Sequence, residues 1–160
     1  MPLLGRLDLS LNEAKTQVVD ATEASFNFLV FAIRMNRGMR TGKPYPHVCP
    51  ADKSLMRIRT RLTQLTGREL TPIPLNALVG NVNRSLKGRV NYFRYRNSNQ
   101  AMEKVKTHAE QRLRKHLMKR HKLKDRGIGA GRFPSVDLYR RYGLYKVPTA
   151  AAWKSAHALV

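Results

Sequence analysis

Behind Pro50 the apolar residues recur every three or four positions, which is the period of an amphipathic helix. The longest of these apolar stripes starts directly after Pro74, a residue suited to the first position of a helix. The stripe must be covered by other apolar surfaces, so it constrains the fold more than any other feature of the chain. It consists of Leu75, Leu78, Val79, Val82, Leu86, Val90 and Phe93.

Two further helical stripes lie on either side of the longest one. The earlier stripe ends at Gly67 and consists of Leu55, Ile58, Leu62 and Leu65. The later stripe follows Ser98 or Asn99 as the N-cap and consists of Met102, Val105, Ala109, Leu113, His116 and Leu117. Beyond them, DRGIGAGR at 125–132 predicts a flexible hinge, and FPSVDLYRRYGLY at 133–145 predicts a short final helix. Three amphipathic helices with short connections predict a small bundle.

The residues before Pro50 favour strands. TQVVDA at 16–21 and FNFLVFAIRM at 26–35 are rich in β-branched and aromatic residues, and the four residues between them predict the turn of a β-hairpin. The second of these strands is apolar on both faces, so we expect it to be buried on both sides or to pack against a further partner. RGMRTGKPYPHVCP at 37–50 predicts a loop or a short edge strand. The expected fold class is therefore mainly α, with an N-terminal β-hairpin, a bundle of three amphipathic helices and a short C-terminal helix.

The basic residues are concentrated in the predicted bundle. The chain has 31 Lys+Arg against 10 Asp+Glu, a formal net charge of +21. Residues 51–126 carry 20 of the basic and five of the acidic residues, whereas residues 1–50 carry six and four. Such an excess favours a polyanionic partner, and nucleic acid is the usual one because Lys and Arg release condensed counterions from phosphates. The sequence therefore predicts a nucleic-acid-binding protein.

An acidic membrane is the competing partner, and three features argue against it. No apolar run approaches the ~20 residues that span a bilayer. The N-terminal segment MPLLGRLDLS contains the charged residues Arg6 and Asp8, which interrupt the apolar run that a signal peptide needs. The basic helix at 99–124 has an apolar face that is interrupted by Ala109 and His116 and lacks Trp or Phe. We expect a protein without a membrane partner that is not secreted and is located in a bacterial cytoplasm or an organelle.

Basic and aromatic residues are spaced so that they align on the faces of the predicted helices. Arg can make bidentate phosphate contacts, and Tyr can stack on an unpaired base. Gly88 costs about 1 kcal/mol in a helix relative to Ala, which suggests close approach by another helix or by a ligand backbone. A solvated basic helix face is the alternative interpretation. The candidate binding residues are Lys53, Arg57 and Arg61 at i, i+4 and i+8; Arg89, Tyr92 and Arg96 on one line, with Arg94 nearby; and Lys104, Lys115, Lys119 and Lys122.

Several motifs, in a fixed order, resemble one protein family. GRVNYFR at 88–94 resembles the GWxNYFR signature of the maturase-specific domain of group II intron-encoded proteins, also called domain X or the thumb. LSLNEAKTQVV at 9–19 is similar to the GLxLNxxKT pattern of their late palm, and FNFLVF at 26–31 to the FxFLGF primer-grip element. CPADKSLMRIRTRLTQLT resembles the first thumb helix and YGLYKVP the closing motif, so the resemblance covers roughly residues 5–148.

The resemblance implies a domain organisation and a function. Residues 1–50 would be a late-palm and primer-grip-like segment, 51–148 the helical maturase domain and 149–160 a tail. The implied function is that of an RNA-binding module that binds group II intron RNA and favours its splicing-competent fold, while the ribozyme performs the transesterification. Lys15 matches the family's lysine near the incoming nucleotide. The implied primer-grip-like residues are Phe26, Phe28, Leu29, Val30 and Phe31, with Val30 in place of the family's glycine, just as Arg89 replaces its tryptophan.

We expect no catalytic centre, metal or cofactor in this chain. A polymerase needs two or three carboxylates that converge on paired metals, and the N-terminal acidic residues are scattered over turns and strand ends. The resemblance implies that the YADD aspartates lie upstream of Met1. The alternative function is a thumb and palm fragment of a split or decayed reverse transcriptase. Such a fragment would grip an RNA/DNA template–primer only together with a separate palm-containing polypeptide or through self-association.

Overall fold

A three-stranded antiparallel sheet precedes the helices in the computed structural model, which describes residues 19–123 and 128–150. Strands β1 (Phe26–Phe28), β2 (Phe31–Arg37) and β3 (Pro44–Pro50) pair in the order β1-β2-β3. The chain is about 54% helical, so the predicted fold class, mainly α with an N-terminal β-hairpin, is confirmed. Of the two options for residues 37–50, the structure shows the edge strand, β3.

The hairpin itself differs from the predicted one. FNFLVFAIRM is not a single strand, because the chain turns back at Leu29 and Val30 and pairs Phe28 with Phe31. Leu29 has a positive φ of 55°, the sign that a type II′ turn requires at its first central residue. Residues 19–21, the described end of the predicted first strand, are not in a strand, and residues 16–18 lie outside the described part. The prediction missed this turn because Leu is rarely found at positive φ.

The helices follow the predicted stripes closely. Helix α1 spans Asp52–Leu65, α2 spans Leu75–Phe93 and α3 spans Asn99–Arg120, with a short 3₁₀ turn at Arg68–Leu70 between α1 and α2. Helix α5, Ser135–Arg140, is the predicted final helix. The predicted hinge is wrong for residues Ile128–Arg132, which form helix α4. There Gly129 is buried, and Met118 of α3 occupies the space that a Cβ would need.

Helix α1 lies against both longer helices, and the three apolar stripes meet in one core. The residues after α4 close one side of this core, since Phe133, Leu138, Leu144 and Val147 are buried. His116 is fully buried on the apolar side of α3, as predicted. The buried residues of α1, α2 and α3 include Ile58, Leu62, Leu78, Val79, Val82, Leu86, Val90, Phe93, Met102, Val105, Ala109, Leu113 and Leu117.

Three arginines of α3 hold the bundle together from its surface. Arg112 donates from Nε to Thr66 Oγ1 at 3.0 Å and from Nη2 to the Thr63 carbonyl at 3.1 Å, at the end of α1. Arg120 donates to the carbonyls of Thr71 and Ile73 at 2.9 and 2.7 Å. Arg114 donates to the Phe133 carbonyl at 2.9 Å. A charged hydrogen bond to a backbone carbonyl stabilises the contact between the two segments that it joins, so these three positive charges serve the fold.

The sheet is attached to the bundle at two places. The Val30 carbonyl accepts from the Ala51 N–H at 2.9 Å and from Ser54 Oγ at 3.3 Å, at the start of α1. Between α2 and α3, Asn97 donates its N–H to the Val48 carbonyl at 3.0 Å and accepts from the Val48 N–H through Oδ1 at 3.3 Å. These contacts fix the position of the sheet relative to the first turn of α3.

Phe93→Ala should lower the free energy of unfolding by about 3–5 kcal/mol, because Phe93 is buried on the α2 stripe. Tyr92→Ala should cost no more than about 1.5 kcal/mol, since Tyr92 is 55% exposed and loses mainly its ring contacts with Phe31 and Phe93. Urea unfolding of both variants measures the difference. Equal losses of unfolding free energy in the two variants would contradict the assignment of Phe93 to the core and Tyr92 to the surface.

Arg112→Gln should lower the free energy of unfolding by roughly 1–3 kcal/mol, because it leaves the carbonyls at the end of α1 without a charged donor. Arg59→Gln on α1 is a matched control, since it removes the same charge from an exposed residue. Thermal unfolding at two salt concentrations separates a lost hydrogen bond from a general charge effect. Identical melting temperatures for the two variants would show that Arg112 does not hold α1 to α3.

Candidate nucleic-acid interface

Most of the positive charge on the bundle is not neutralised within the protein. Between residues 19–123 and 128–150, the single ion pair is Lys106 with Glu103 at 3.0 Å. Three arginines are engaged with backbone carbonyls, as described above. Most of the other basic side chains in these two ranges are solvent-exposed, so their positions decide where a polyanion can bind.

The predicted row on α1 is present and solvent-exposed. Lys53, Arg57 and Arg61 are all exposed, and they lie at four-residue intervals along the helix. Arg61, the last of the three, faces α2 and lines a groove with residues of that helix. The row therefore leads along α1 towards the groove.

The groove between α1 and α2, which we call the arginine groove, has a volume of about 470 Å³. Three arginines line it, Arg61 from α1 and Arg84 and Arg89 from α2, and its lining contains no carboxylate. Arg84 Nη1 donates to Asn81 Oδ1 at 3.2 Å, which orients the guanidinium group. Arg84 is not among the residues predicted to bind, although its position one turn before Gly88 places it on the same face of α2. Its side chain and that of Arg89 give the groove a dense positive charge.

Gly88 exposes the backbone of α2 inside this groove. A Cβ added at Gly88 would meet no atom within 4 Å, and the same holds for Gly80 two turns earlier. Of the two explanations for Gly88, close approach by another helix is therefore excluded for the described residues. The open space beside the helix backbone instead leaves room for a ligand to approach closely.

The aromatic residues next to the groove are divided between the core and the surface. Tyr92 is exposed on the same side of α2 as Gly88 and Arg89, and its ring lies 5.9 Å from that of Phe31. Arg94 is half-buried, and its buried Nε has no hydrogen-bond partner among the described residues. Tyr92 is therefore the aromatic side chain that an incoming base could reach from the arginine groove.

Arg96 does not lie on one line with Arg89 and Tyr92, which corrects the prediction. Helix α2 ends at Phe93, and Arg96 follows it with a positive φ of 45°. Its guanidinium group lies over the ring of Tyr95, 5.6 Å from the centroid, and Nε donates to the Tyr95 hydroxyl at 3.1 Å. The helical spacing was applied beyond the end of the helix, so it gave the wrong direction for this side chain.

The lysines predicted on α3 are exposed but spread out. Lys104 lies near the start of the helix, and Lys115 and Lys119 lie near its end, with Lys122 just beyond it. Fifteen residues separate Lys104 from Lys119, which corresponds to roughly 22 Å along the helix axis. Lys104 therefore belongs to a different part of the surface from the other three.

The primer-grip-like residues occupy the hairpin. Phe28 and Leu29 are 60% and 78% exposed at its turn, whereas Phe31 packs against Tyr92, Phe93 and Tyr95. Phe26 and Val30 are half-buried. Lys15 lies outside the described residues. The hairpin thus presents exposed apolar residues at its turn, and Phe31, which directly follows that turn, packs against the aromatic residues of the bundle.

Burial lowers the pKa of His47, His108 and His116, so these side chains are neutral near neutral pH. Within the part of the chain that the structure describes, no group of three His, Cys, Asp or Glu residues could hold a metal ion. Every helix in the same part is too short or too polar to cross a membrane. The described chemistry of this surface is therefore that of cations, amides and aromatic rings.

Comparison with known proteins gives one result for the bundle. The family model for the group II intron, maturase-specific domain, matches residues 55–132. The matched segment contains most of α1, all of α2, α3 and α4, and hence the arginine groove. No curated protein matches the chain. Residues 55–132 thus form a group II intron maturase-specific domain, which the chain carries as its helical part.

Proposed function

We propose that this protein is an RNA-binding maturase module that binds group II intron RNA, assists its splicing and has no catalytic centre of its own. The observation that carries the proposal is the arginine groove, where Arg61, Arg84 and Arg89 converge without a carboxylate inside the maturase-specific domain. A bacterial cytoplasm or an organelle, the places where the protein would meet such an RNA, is the location we propose.

The groove suits the sugar–phosphate backbone of RNA. Each guanidinium group offers several N–H donors in a planar arrangement that matches phosphate oxygens. The exposed helix backbone at Gly88 lets the ribose approach α2 without a clash, since no side chain stands there. Contacts of this kind recognise the shape and charge of a folded RNA rather than its base sequence.

An unpaired base next to the groove would add a second kind of contact. Tyr92 follows Arg89 by three residues on α2 and is 55% exposed. A base stacked on an aromatic ring contributes about 1–3 kcal/mol by alanine substitution. Phosphate contacts at Arg84 and Arg89 together with stacking at Tyr92 favour a site where a helical RNA segment ends in an unpaired nucleotide.

The role of the protein in splicing would be to stabilise the active fold of the intron. Folding of a large RNA brings phosphates close together, and cations on a protein surface lower the electrostatic cost. The row Lys53, Arg57 and Arg61 extends the positive surface along α1 to the arginine groove. The RNA itself then performs the transesterification.

One observation favours a second candidate function. The exposed apolar turn at Phe28 and Leu29 is suited to contact with another protein surface. A thumb and palm fragment of a split reverse transcriptase would use such a contact to join a palm-containing polypeptide and would then grip a template–primer. An open reading frame with a YADD motif directly upstream of the gene would support this alternative.

The double variant Arg84→Gln/Arg89→Gln should weaken binding to the intron RNA that encloses or neighbours the gene. Filter binding over a salt series measures the affinity, and the slope of log K against log salt should fall by about 0.7–0.9 per lost phosphate contact. Arg132→Gln/Arg140→Gln is the control, since it removes the same charge from exposed residues outside the groove. If both pairs change affinity and slope equally, the arginine groove is not the binding site.

The purified chain should extend no primer with any template or divalent metal. Among the described residues the Asp20 carboxylate is part of a local turn, where its Oδ1 accepts from the Thr22 N–H at 2.8 Å and from Thr22 Oγ1 at 2.6 Å, and no group of possible metal ligands surrounds it. These bonds lower the pKa of the Asp20 carboxyl group. Nucleotide incorporation that co-purifies with the chain and disappears in Asp20→Asn would overturn the non-catalytic assignment.

A further inference from the structure

A second basic cavity lies on a different part of the molecule, where the sheet meets the first turns of α3. This cavity, which we call the junction pocket, has a volume of about 560 Å³. Its basic lining residues come from separate elements, Arg34 from β2, His47 from β3, Arg96 from the α2–α3 connection and Lys104 from α3. Side chains that are far apart in the sequence thus converge on one space.

The charge inside the junction pocket is unbalanced. Arg34, Arg96 and Lys104 are cations, and Asp52 is the one carboxylate in the lining. None of the three cations forms an ion pair among the described residues, since the ion pair found there joins Lys106 to Glu103. Three positive charges around one cavity repel each other, and an anion between them would relieve this repulsion.

Arg96 is held in place at some conformational cost. Its positive φ of 45° is unfavourable for a residue with a side chain. The next residue, Asn97, is fixed to Val48 of β3 by two hydrogen bonds, and Arg96 Nε donates to the Tyr95 hydroxyl. The chain therefore maintains a strained backbone that places a guanidinium group at the edge of the pocket.

Neutral polar groups complete the lining. His47 Nδ1 is buried and has no hydrogen-bond partner in the described chain. The amide side chains of Asn97, Asn99 and Gln100 also line the pocket. Cations together with N–H donors are the groups that bind phosphate oxygens.

We propose that the junction pocket binds a phosphate group. Its volume lies in the range of sites for small ligands and admits a whole nucleotide. The phosphate belongs either to the backbone of the bound RNA or to a free nucleotide, and the first source rests on the proposed RNA-binding function. An RNA strand that reaches both the arginine groove and the junction pocket would contact the bundle and the sheet together.

The first experiment compares two double variants of equal charge. Arg34→Gln/Lys104→Gln removes two cations from the junction pocket, and Arg37→Gln/Lys43→Gln removes two exposed cations from the end of β2 and the turn after it. Arg37 lies on the same strand as Arg34 but does not line the pocket. We expect the pocket variant to bind RNA at least tenfold more weakly than the control variant, the effect of losing charged hydrogen bonds.

The second experiment uses the His47 side chain as a reporter of phosphate. Burial and the charge of Arg34 lower the pKa of His47, and a bound anion should raise it. NMR titration of the imidazole with and without inorganic phosphate or adenosine monophosphate measures this change, and Arg34→Gln/Lys104→Gln should abolish it. The charged or titratable groups around His47 are Arg34 on β2, Tyr45 and Cys49 on β3, Asp52 on α1, Arg96 on the connection and Lys104 on α3.

The affinity of the junction pocket for phosphate should depend on pH, because a bound phosphate changes the pKa of His47. Since a bound phosphate raises the pKa of His47, binding takes up part of a proton, and affinity should increase as the pH falls below neutrality. An RNA oligonucleotide is the suitable probe, because its phosphodiesters do not titrate in this range. His47→Gln should remove the pH dependence, while His121→Gln, an exposed control outside the pocket, should retain it.

The outcomes distinguish a backbone phosphate of RNA from a free nucleotide, and they test the RNA-binding function separately from the phosphate site. Weaker RNA binding in the pocket variant identifies a backbone phosphate, and a phosphate-dependent His47 shift with unchanged RNA affinity identifies a free nucleotide. If the wild-type chain binds RNA but the pocket variant matches its control in both experiments, the phosphate site is overturned and the RNA-binding function stands. If the wild-type chain binds no RNA but shows the His47 shift, the function fails and the phosphate site stands.

Discussion

The packing of α1 between α2 and α3 is the contact on which the rest of the structure depends. Ile58 and Leu62 of α1 are almost completely inaccessible to solvent, and they join the stripes of the other two helices in one core. The same packing sets the separation between α1 and α2, and this separation forms the arginine groove. Arg112 strengthens it from outside by donating to the carbonyls at the end of α1. Stability and the candidate binding surface therefore depend on the same helix.

The excess of positive charge has two different uses in this fold. Some arginines, such as Arg112 and Arg120, donate to backbone carbonyls of other elements or their connections and so link them to α3. Others, such as Arg84 and Arg89, line an open groove without a carboxylate. A basic protein must keep unpaired cations apart or supply an anion to them, because like charges in a compact fold repel. The second group is consequently where an RNA backbone would stabilise the folded chain as well as bind to it.

The sheet and the bundle meet in a way that joins two basic regions. Phe31 packs against the aromatic residues at the end of α2. Asn97, just before α3, forms two hydrogen bonds with Val48 of β3. These contacts bring Arg34 of the sheet to the same cavity as Lys104 of α3. These two basic residues are 70 positions apart in the sequence, and the contact between the sheet and the bundle makes them neighbours. A ligand that contacts both regions would in turn hold the sheet against the bundle.

The sequence by itself determined the helices and their buried faces, because a 3.6-residue period is a local property and each stripe, from Leu75 to Phe93 for example, lies within one segment. It also showed the family resemblance and the concentration of charge. The hairpin turn at Leu29 was not predictable, since neighbouring strands rather than the residue's own preference impose the positive φ. Likewise, only the tertiary structure decided that Arg112 supports the core, Arg84 lines the groove and Arg96 turns towards the junction pocket. The role of a cation depends on which carbonyl or cavity lies beside it, and those neighbours come from distant parts of the chain.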